Sequence, residues 1–134
     1  GLANIILAAR KINDSMPDFV LERISNIMAE HGISDPSRVG IYGITYKENV
    51  DDVRESPTLQ MYESMKRHLA TGVKFYDPYV KTDVLPDFDE FLSSVDMVVI
   101  MVAHDEIKSE QERLNGKIIF DTRKVCTLDG VYRL

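Results

Sequence analysis

Cysteine occurs once in the chain, at Cys126, so no disulfide can form within it, and the composition fits a reducing compartment, the cytoplasm. Cys126 has no histidine nearby in the sequence and no helix-start context, and is expected to be inert. Basic clusters are also missing: 16 lysines and arginines are outweighed by 22 aspartates and glutamates, leaving a formal charge of -6. A protein that grips a nucleic-acid backbone normally presents a basic face, so nucleic acid is not the expected partner. The acid excess does not exclude a phosphorylated small molecule, which a few placed cations can hold. No apolar run is long enough to cross a bilayer, and the apolar opening "GLANIILAARKI" lacks the charged front end of a signal peptide, so no membrane partner is expected. His31 and His68 lack metal-ligand spacing with any second residue, and no metal is expected. Internal repeats and low-complexity linkers are absent.

What is present is a single domain's length with enough hydrophobic content, 44%, to bury a core. Leu2, Ile5, Ile6, Ala9 and Ile12 follow helical spacing, but Ala3, Leu7 and Ala8 leave little polar face opposite. Such a helix is either central to this domain or covered by another domain or subunit. The chain opens inside it, so Gly1 is not expected to be a natural start. "NDSMPDFVLERISNIMAEHG" reads as further helix, with Asp14 or Ser15 as cap, Pro17 in the first turn and Gly32 as the stop. Met16, Val20, Ile24, Ile27 and Met28 share one face. Pro17 either kinks one long helix or separates two.

Beyond Gly32, strands and helices alternate. Val39 to Ile44, "VKFYDP", "VDMVVIMV" and "KIIFDTR" read as strands, and "GVYRL" as an added edge strand. Ser56-Pro57 marks a helix start with Leu59, Tyr62, Met65 and Leu69 as its buried stripe, and "DFDEFLSS" and "HDEIKSEQERLN" are helical. The strands are continuous apolar runs rather than period-two alternations. That pattern predicts an α/β fold: a Rossmann-like three-layer sandwich with a mainly parallel sheet, preceded by one long or kinked helix. Ligands of such sheets sit at the carboxyl ends of the strands, where "TYKENVDDVRES", "YDPYVKTD", "AHDE" and "DTRKV" fall.

Three cations in those clusters are candidates for anion contacts. Lys47 follows the first strand as a point charge able to meet a phosphate; the bland alternative is a solvated loop lysine. Arg54 stands among Asp51, Asp52 and Glu55, which either orient its guanidinium or form an ordinary surface ion-pair cluster and favourable helix N-terminal charge. Arg123 follows "IIFD", where a planar charged fork suits phosphate or carboxylate and Asp121 is placed to hold that fork. Gly40 and Gly43 do not make a dinucleotide fingerprint, because the third glycine is missing, and the loop is not a Walker A loop. His104 reads as a loop or helix-cap residue rather than a base.

The strings "VGIYGITYKENVDDVRESPTLQMYESM", "VKFYDPYV" and "IIFDTRKV" together resemble the C-terminal domain of the NAD-dependent nucleotide-sugar 6-dehydrogenases, the UDP-glucose/GDP-mannose dehydrogenase family. The resemblance covers essentially the whole chain. It implies that residues 1–34 end a central helical dimerisation region and that 35–134 form the nucleotide-sugar-binding domain. In the family, NAD oxidises the sugar C6 alcohol twice to a carboxylate, through a cysteine in an upstream G-G-x-C segment. Neither that segment nor the dinucleotide fingerprint is in this chain, so no residue of it is expected to be catalytic. Tyr46 and Lys47 fall on the family's aromatic-lysine pair that contacts the nucleotide-sugar. Arg123 falls on its substrate-reaching arginine, in several members across a subunit boundary, and Arg54 on the arginine extending toward NAD. The implied partners are a UDP-sugar, the N-terminal dehydrogenase domain of the same polypeptide and a second copy in a homodimer. "NDSMP" and "YKENVDD" lean toward the N-acetylhexosamine members over the UDP-glucose ones. Two other classes compete: a receiver-like signalling domain, with Asp77 as phosphoacceptor, and a non-catalytic α/β interaction module carried by the apolar first helix.

Overall fold

Five short strands build one sheet in the computed structural model, which describes residues 18–45, 47–54, 56, 58–61, 72–81 and 84–134. They are β1 (Val39–Tyr42), β2 (Lys74–Tyr76), β3 (Met97–Ile100), β4 (Ile118–Asp121) and β5 (Tyr132–Arg133). The order across the sheet is β2-β1-β3-β4-β5, and every neighbouring pair is parallel. β1 and β3 are buried at every position, as strands covered on both faces must be. Successive side chains divide between two cores. Val39, Ile41, Met97, Val99 and Phe120 face one, while Tyr42, Val98, Ile100 and Ile119 face the other.

Helices close both faces. Residues 18–30 form α1, whose Val20, Ile24 and Ile27 enter the first core together with Met61 of α2, which is helical at 58–61. Phe88, Phe91 and Leu92 of α3 (Phe88–Ser94) and Ile107 of α4 (Asp105–Ser109) fill the second. The three layers and the parallel sheet agree with the expected Rossmann-like α/β class. α1 stops where Gly32 adopts φ +69°: Gly32 N–H donates to Ala29 O at 3.3 Å and Ile33 N–H to Met28 O at 2.9 Å, a Schellman closure. The edge strand β5 is tied to α1, since Arg23 Nη2 donates to Arg133 O at 3.0 Å and Tyr132 Oη to Glu30 Oε2 at 2.8 Å.

The helix start at Ser56 holds, with Leu59 N–H donating to Ser56 Oγ at 3.3 Å. The stripe on that helix needs correction. Leu59 is 36% exposed, and the inward positions are Thr58 and Met61, both 0%. Thr58 occupies a buried slot because its hydroxyl donates to Gly43 O at 2.8 Å, which a count of apolar residues cannot anticipate. Tyr62, Met65 and Leu69, the leading helix with its cap residues, Met16 and the Pro17 question all lie outside the described residues. Gly40 and Gly43 are packing glycines: a Cβ on Gly40 would come within 2.6 Å of the Phe91 ring, and one on Gly43 within 2.6 Å of Val102 Cβ.

This strand order reverses direction at β1. The chain goes from β1 out to β2 and returns to the other side as β3, so a crevice opens at the carboxyl ends of β1 and β3.

Candidate functional site

Because all five strands run the same way, the loops after β2, β1, β3 and β4 stand side by side on one rim in that order. Lys47 and Arg54 rise from the β1 loop and Arg123 from the β4 loop, with only β3 between those two strands. Strand spacing puts the tips of β1 and β4 about 10 Å apart. Lys47, Arg54 and Arg123 are all solvent-exposed. Tyr46 lies outside the described residues.

Each cation is mounted differently. Arg54 donates through Nε and Nη2 to the Asp52 carboxylate at 3.1 and 2.8 Å, while Asp52 Oδ1 also accepts the Arg54 backbone N–H at 2.9 Å. The hydrogen bonds from Arg54 hold the Asp52 carboxyl down to about 2. Arg123 was expected to have its fork held by Asp121. Instead the buried Asp121 carboxylate accepts three backbone amides, those of Arg123, Val125 and Cys126, at 2.9, 2.8 and 2.7 Å. It fixes the peptide on which the guanidinium stands, because a carboxylate ending a strand is closer to the returning backbone than to the tip of a long side chain. Cys126 is buried in the second core.

Behind the Lys47 loop lies a buried polar pair contributed by the loops after β2 and β3. The side chains of Asp77 and His104 are both 0% exposed, and His104 Nε2 lies 2.9 Å from Asp77 Oδ2. The same Asp77 oxygen accepts the N–H groups of Ile44 (2.8 Å) and Thr45 (3.3 Å), and Oδ1 accepts Tyr79 N–H (2.8 Å). One carboxylate therefore binds the ends of β1, β2 and β3 together. His104 stands at the N-cap position of α4, as read from the sequence, yet makes no side-chain bond to its own helix. Its Nδ1 accepts Asn49 N–H at 2.9 Å, and Asn49 Oδ1 in turn accepts Asp105 N–H at 2.9 Å, capping α4 from the neighbouring loop. A receiver-like role for Asp77 does not survive this burial, since both its oxygens are engaged away from solvent.

On the second-core side of the sheet, Tyr42 Oη and Tyr76 Oη donate to the two oxygens of Glu106 at 2.9 and 3.0 Å. Burial first, and then the Glu106 charge, push the Tyr42 hydroxyl far above its usual range, and burial and the bond to Glu106 do the same to Tyr76. Both hydroxyls stay protonated as donors. Among the described residues no group of three or more His, Cys, Asp or Glu is arranged to hold a metal, and no helix is long and apolar enough to cross a membrane. One cavity of about 350 Å³ lies at the amino ends of β1 and β3, lined by His31, Asp35, Arg38 and Asp96 among others, away from the cationic rim.

Sequence reading found the cations but not the Asp77-His104-Asn49 cluster that holds the Lys47 loop. The available signals were an Asp-Pro directly after the second strand, a histidine soon after the most apolar one, and an asparagine in the loop after the first. None of these shows that the three meet.

Residues 40–128 match the model of the UDP-glucose/GDP-mannose dehydrogenase family, UDP binding domain. A UDP-N-acetyl-D-mannosamine dehydrogenase of Methanocaldococcus jannaschii is 38% identical over 133 residues, which is 92% of this chain and 30% of that protein. An NDP-N-acetyl-D-galactosaminuronic acid dehydrogenase of Ralstonia nicotianae is 31% identical over 131 residues, 90% of this chain and 30% of that protein. The structure of a UDP-N-acetyl-mannosamine dehydrogenase from Staphylococcus aureus superposes with a TM-score of 0.83 at 30% identity, over 99% of this chain and 34% of that one. The chain spans about a third of the length of the relatives it matches. With the matched segment running from β1 through the β4 loop, the chain belongs to the UDP-glucose/GDP-mannose dehydrogenase family.

Proposed function

We propose that this chain is the nucleotide-sugar-binding part of an NAD-dependent UDP-sugar 6-dehydrogenase, a cytoplasmic enzyme that oxidises the sugar C6 alcohol to a carboxylate in two steps. Lys47 and Arg123 contact the diphosphate and sugar, with Tyr46 beside Lys47. The observation that carries this reading is the placement of Lys47 and Arg123 on one rim of the sheet, one strand apart, inside the matched segment. A pyrophosphate carries its charge over a span that two separated cations can bracket, and charge-assisted contacts to it are the strong kind. The relatives named for N-acetylhexosamine substrates favour a UDP-N-acetylhexosamine over UDP-glucose.

NAD, when bound, supplies the hydride acceptor, and most of its site belongs to an N-terminal domain outside this chain. Arg54 fits a contact to it: its side chain is 87% exposed and its guanidinium is oriented by Asp52. Cys126 is buried and does not serve as the nucleophile, so this chain binds and orients but does not catalyse.

Calorimetric titration with UDP, UDP-glucose and UDP-N-acetylmannosamine tests the proposal. Lys47→Ala and Arg123→Ala are each expected to weaken UDP binding by about 1.5–3 kcal/mol. A chain that binds no UDP, or variants that bind it as well as the parent, would refute it. Self-association without any nucleotide binding would return the non-catalytic interaction module to first place.

A homodimer is part of this reading, because the sequence of residues 1–12 is largely apolar and apolar segments favour burial against a second copy. Light scattering across a concentration series is expected to give a dimer. A monomer at the highest concentration would count against it.

A further inference from the structure

We propose that His104 is the positioning residue that sets where Lys47 meets its ligand, a role that rests on the reading of Lys47 as a diphosphate contact. Lys47 sits between two attachment points on one imidazole. On one side, Thr45 Oγ1 lies 3.3 Å from His104 Nε2 and donates to Lys47 O at 2.8 Å. On the other, Asn49 N–H donates to His104 Nδ1 at 2.9 Å. A backbone N–H can only donate, so Nδ1 carries the lone pair and the ring hydrogen is on Nε2, facing Asp77 Oδ2. Asp77 thus selects the tautomer that lets Nδ1 receive the loop, and the Tyr79 ring packs over the imidazole with centroids 4.9 Å apart.

Asn49 completes the latch. It holds the left-handed conformation at φ 59°, which asparagine tolerates better than most residues, and its Oδ1 accepts from Asp105 N–H at 2.9 Å and from Tyr79 Oη at 3.4 Å. The β1 loop is therefore pinned at Thr45 and at Asn49, on either side of Lys47 in the chain, across the crevice between β1 and β3. Neither His104 nor Asp77 is exposed, so both act on the ligand only through the backbone that carries Lys47.

Two substitutions separate the two ring nitrogens. His104→Asn retains an acceptor near the Nδ1 position, whereas His104→Gln retains a donor near Nε2 and loses the acceptor for Asn49. The Asn49 amide is expected to exchange slowly in the parent and in His104→Asn, and about tenfold faster in His104→Gln, the ratio set by losing one hydrogen bond. UDP affinity is expected to fall about tenfold in His104→Gln and to stay within about threefold in His104→Asn. In a Lys47→Ala background, His104→Gln is expected to have no further effect on UDP affinity, because the two act as one unit.

Equal losses in both His104 variants that track their melting temperatures would overturn the proposal in favour of a purely structural histidine. So would a His104→Gln loss that persists undiminished without Lys47. Unchanged Asn49 exchange in His104→Gln would overturn the latch while leaving the Lys47 reading intact. UDP affinity unchanged by Lys47→Ala would instead sink the reading of Lys47 and the positioning role built on it.

Discussion

Gly43 illustrates how a single residue is constrained by its neighbours. It adopts φ +96°, and a Cβ there would lie 2.6 Å from Val102 Cβ and 2.8 Å from Val102 N. Backbone atoms cannot step aside as a side-chain tip can. Gly43→Ala is expected to lower stability on the order of 3 kcal/mol, the strain of a left-handed alanine and overpacking together, measured by urea unfolding. Tyr42 makes a second residue-scale case. Its hydroxyl is pushed above the ordinary value of 10.0 by burial and by Glu106. A raised folded value means that the native state keeps a proton the unfolded chain loses, so this contribution is whole below pH 10 and declines above it. Urea unfolding on either side of that pH is expected to show stability falling by up to about 1.4 kcal/mol per pH unit from this group. Tyr42→Phe should flatten the slope; an equally steep decline in Tyr42→Phe would show that other groups cause it.

Among the elements, the loops after the strands differ in how they are anchored, and this decides what a substitution does. The β4 loop hangs on one side chain, Asp121, whose oxygens receive three backbone N–H groups, those of Arg123, Val125 and Cys126. Asp121→Ala is expected to lower stability by about 2–3 kcal/mol, because the Cys126 amide loses its only acceptor in a buried place while the outer amides can turn to water. It should also weaken UDP binding by loosening the peptide that carries Arg123, whereas Asp52→Asn, on an exposed ion pair, should leave the melting temperature nearly unchanged. Calorimetry and thermal melts on the two variants check both halves. Among the described residues α1 behaves as its pattern foretold, while on α2 a polar residue took an inward place. Val20, Ile24 and Ile27 are inward because their spacing is helical, but Thr58 displaced Leu59 because Gly43 O needed a donor. Hydropathy periodicity sees the first effect and not the second.

At the scale of the whole molecule, much of the fold was legible. Continuous apolar strands separated by helices with Gly, Asp-Pro and Ser-Pro punctuation point to a parallel, doubly covered sheet, the usual arrangement that hides such strands on both faces. The cations at the strand ends, Lys47, Arg54 and Arg123, could be picked from the sequence because charge next to an apolar run is conspicuous. Asp52, two residues from Arg54, could be picked out as its partner, but what holds the Lys47 loop was not legible. Asp77 and His104 are 27 residues apart, and they meet because β1 lies between β2 and β3, leaving their loops on either side of one crevice. Strand order is set by how all the helices and strands share the two cores, a property of the assembled chain. Local sequence therefore determined which segments are strands, which are helices and which residues carry charge to the rim. Only the tertiary structure decided which loops become neighbours, because periodicity and turn chemistry act over a few residues, whereas the bonds that seat this site join strands far apart in the chain.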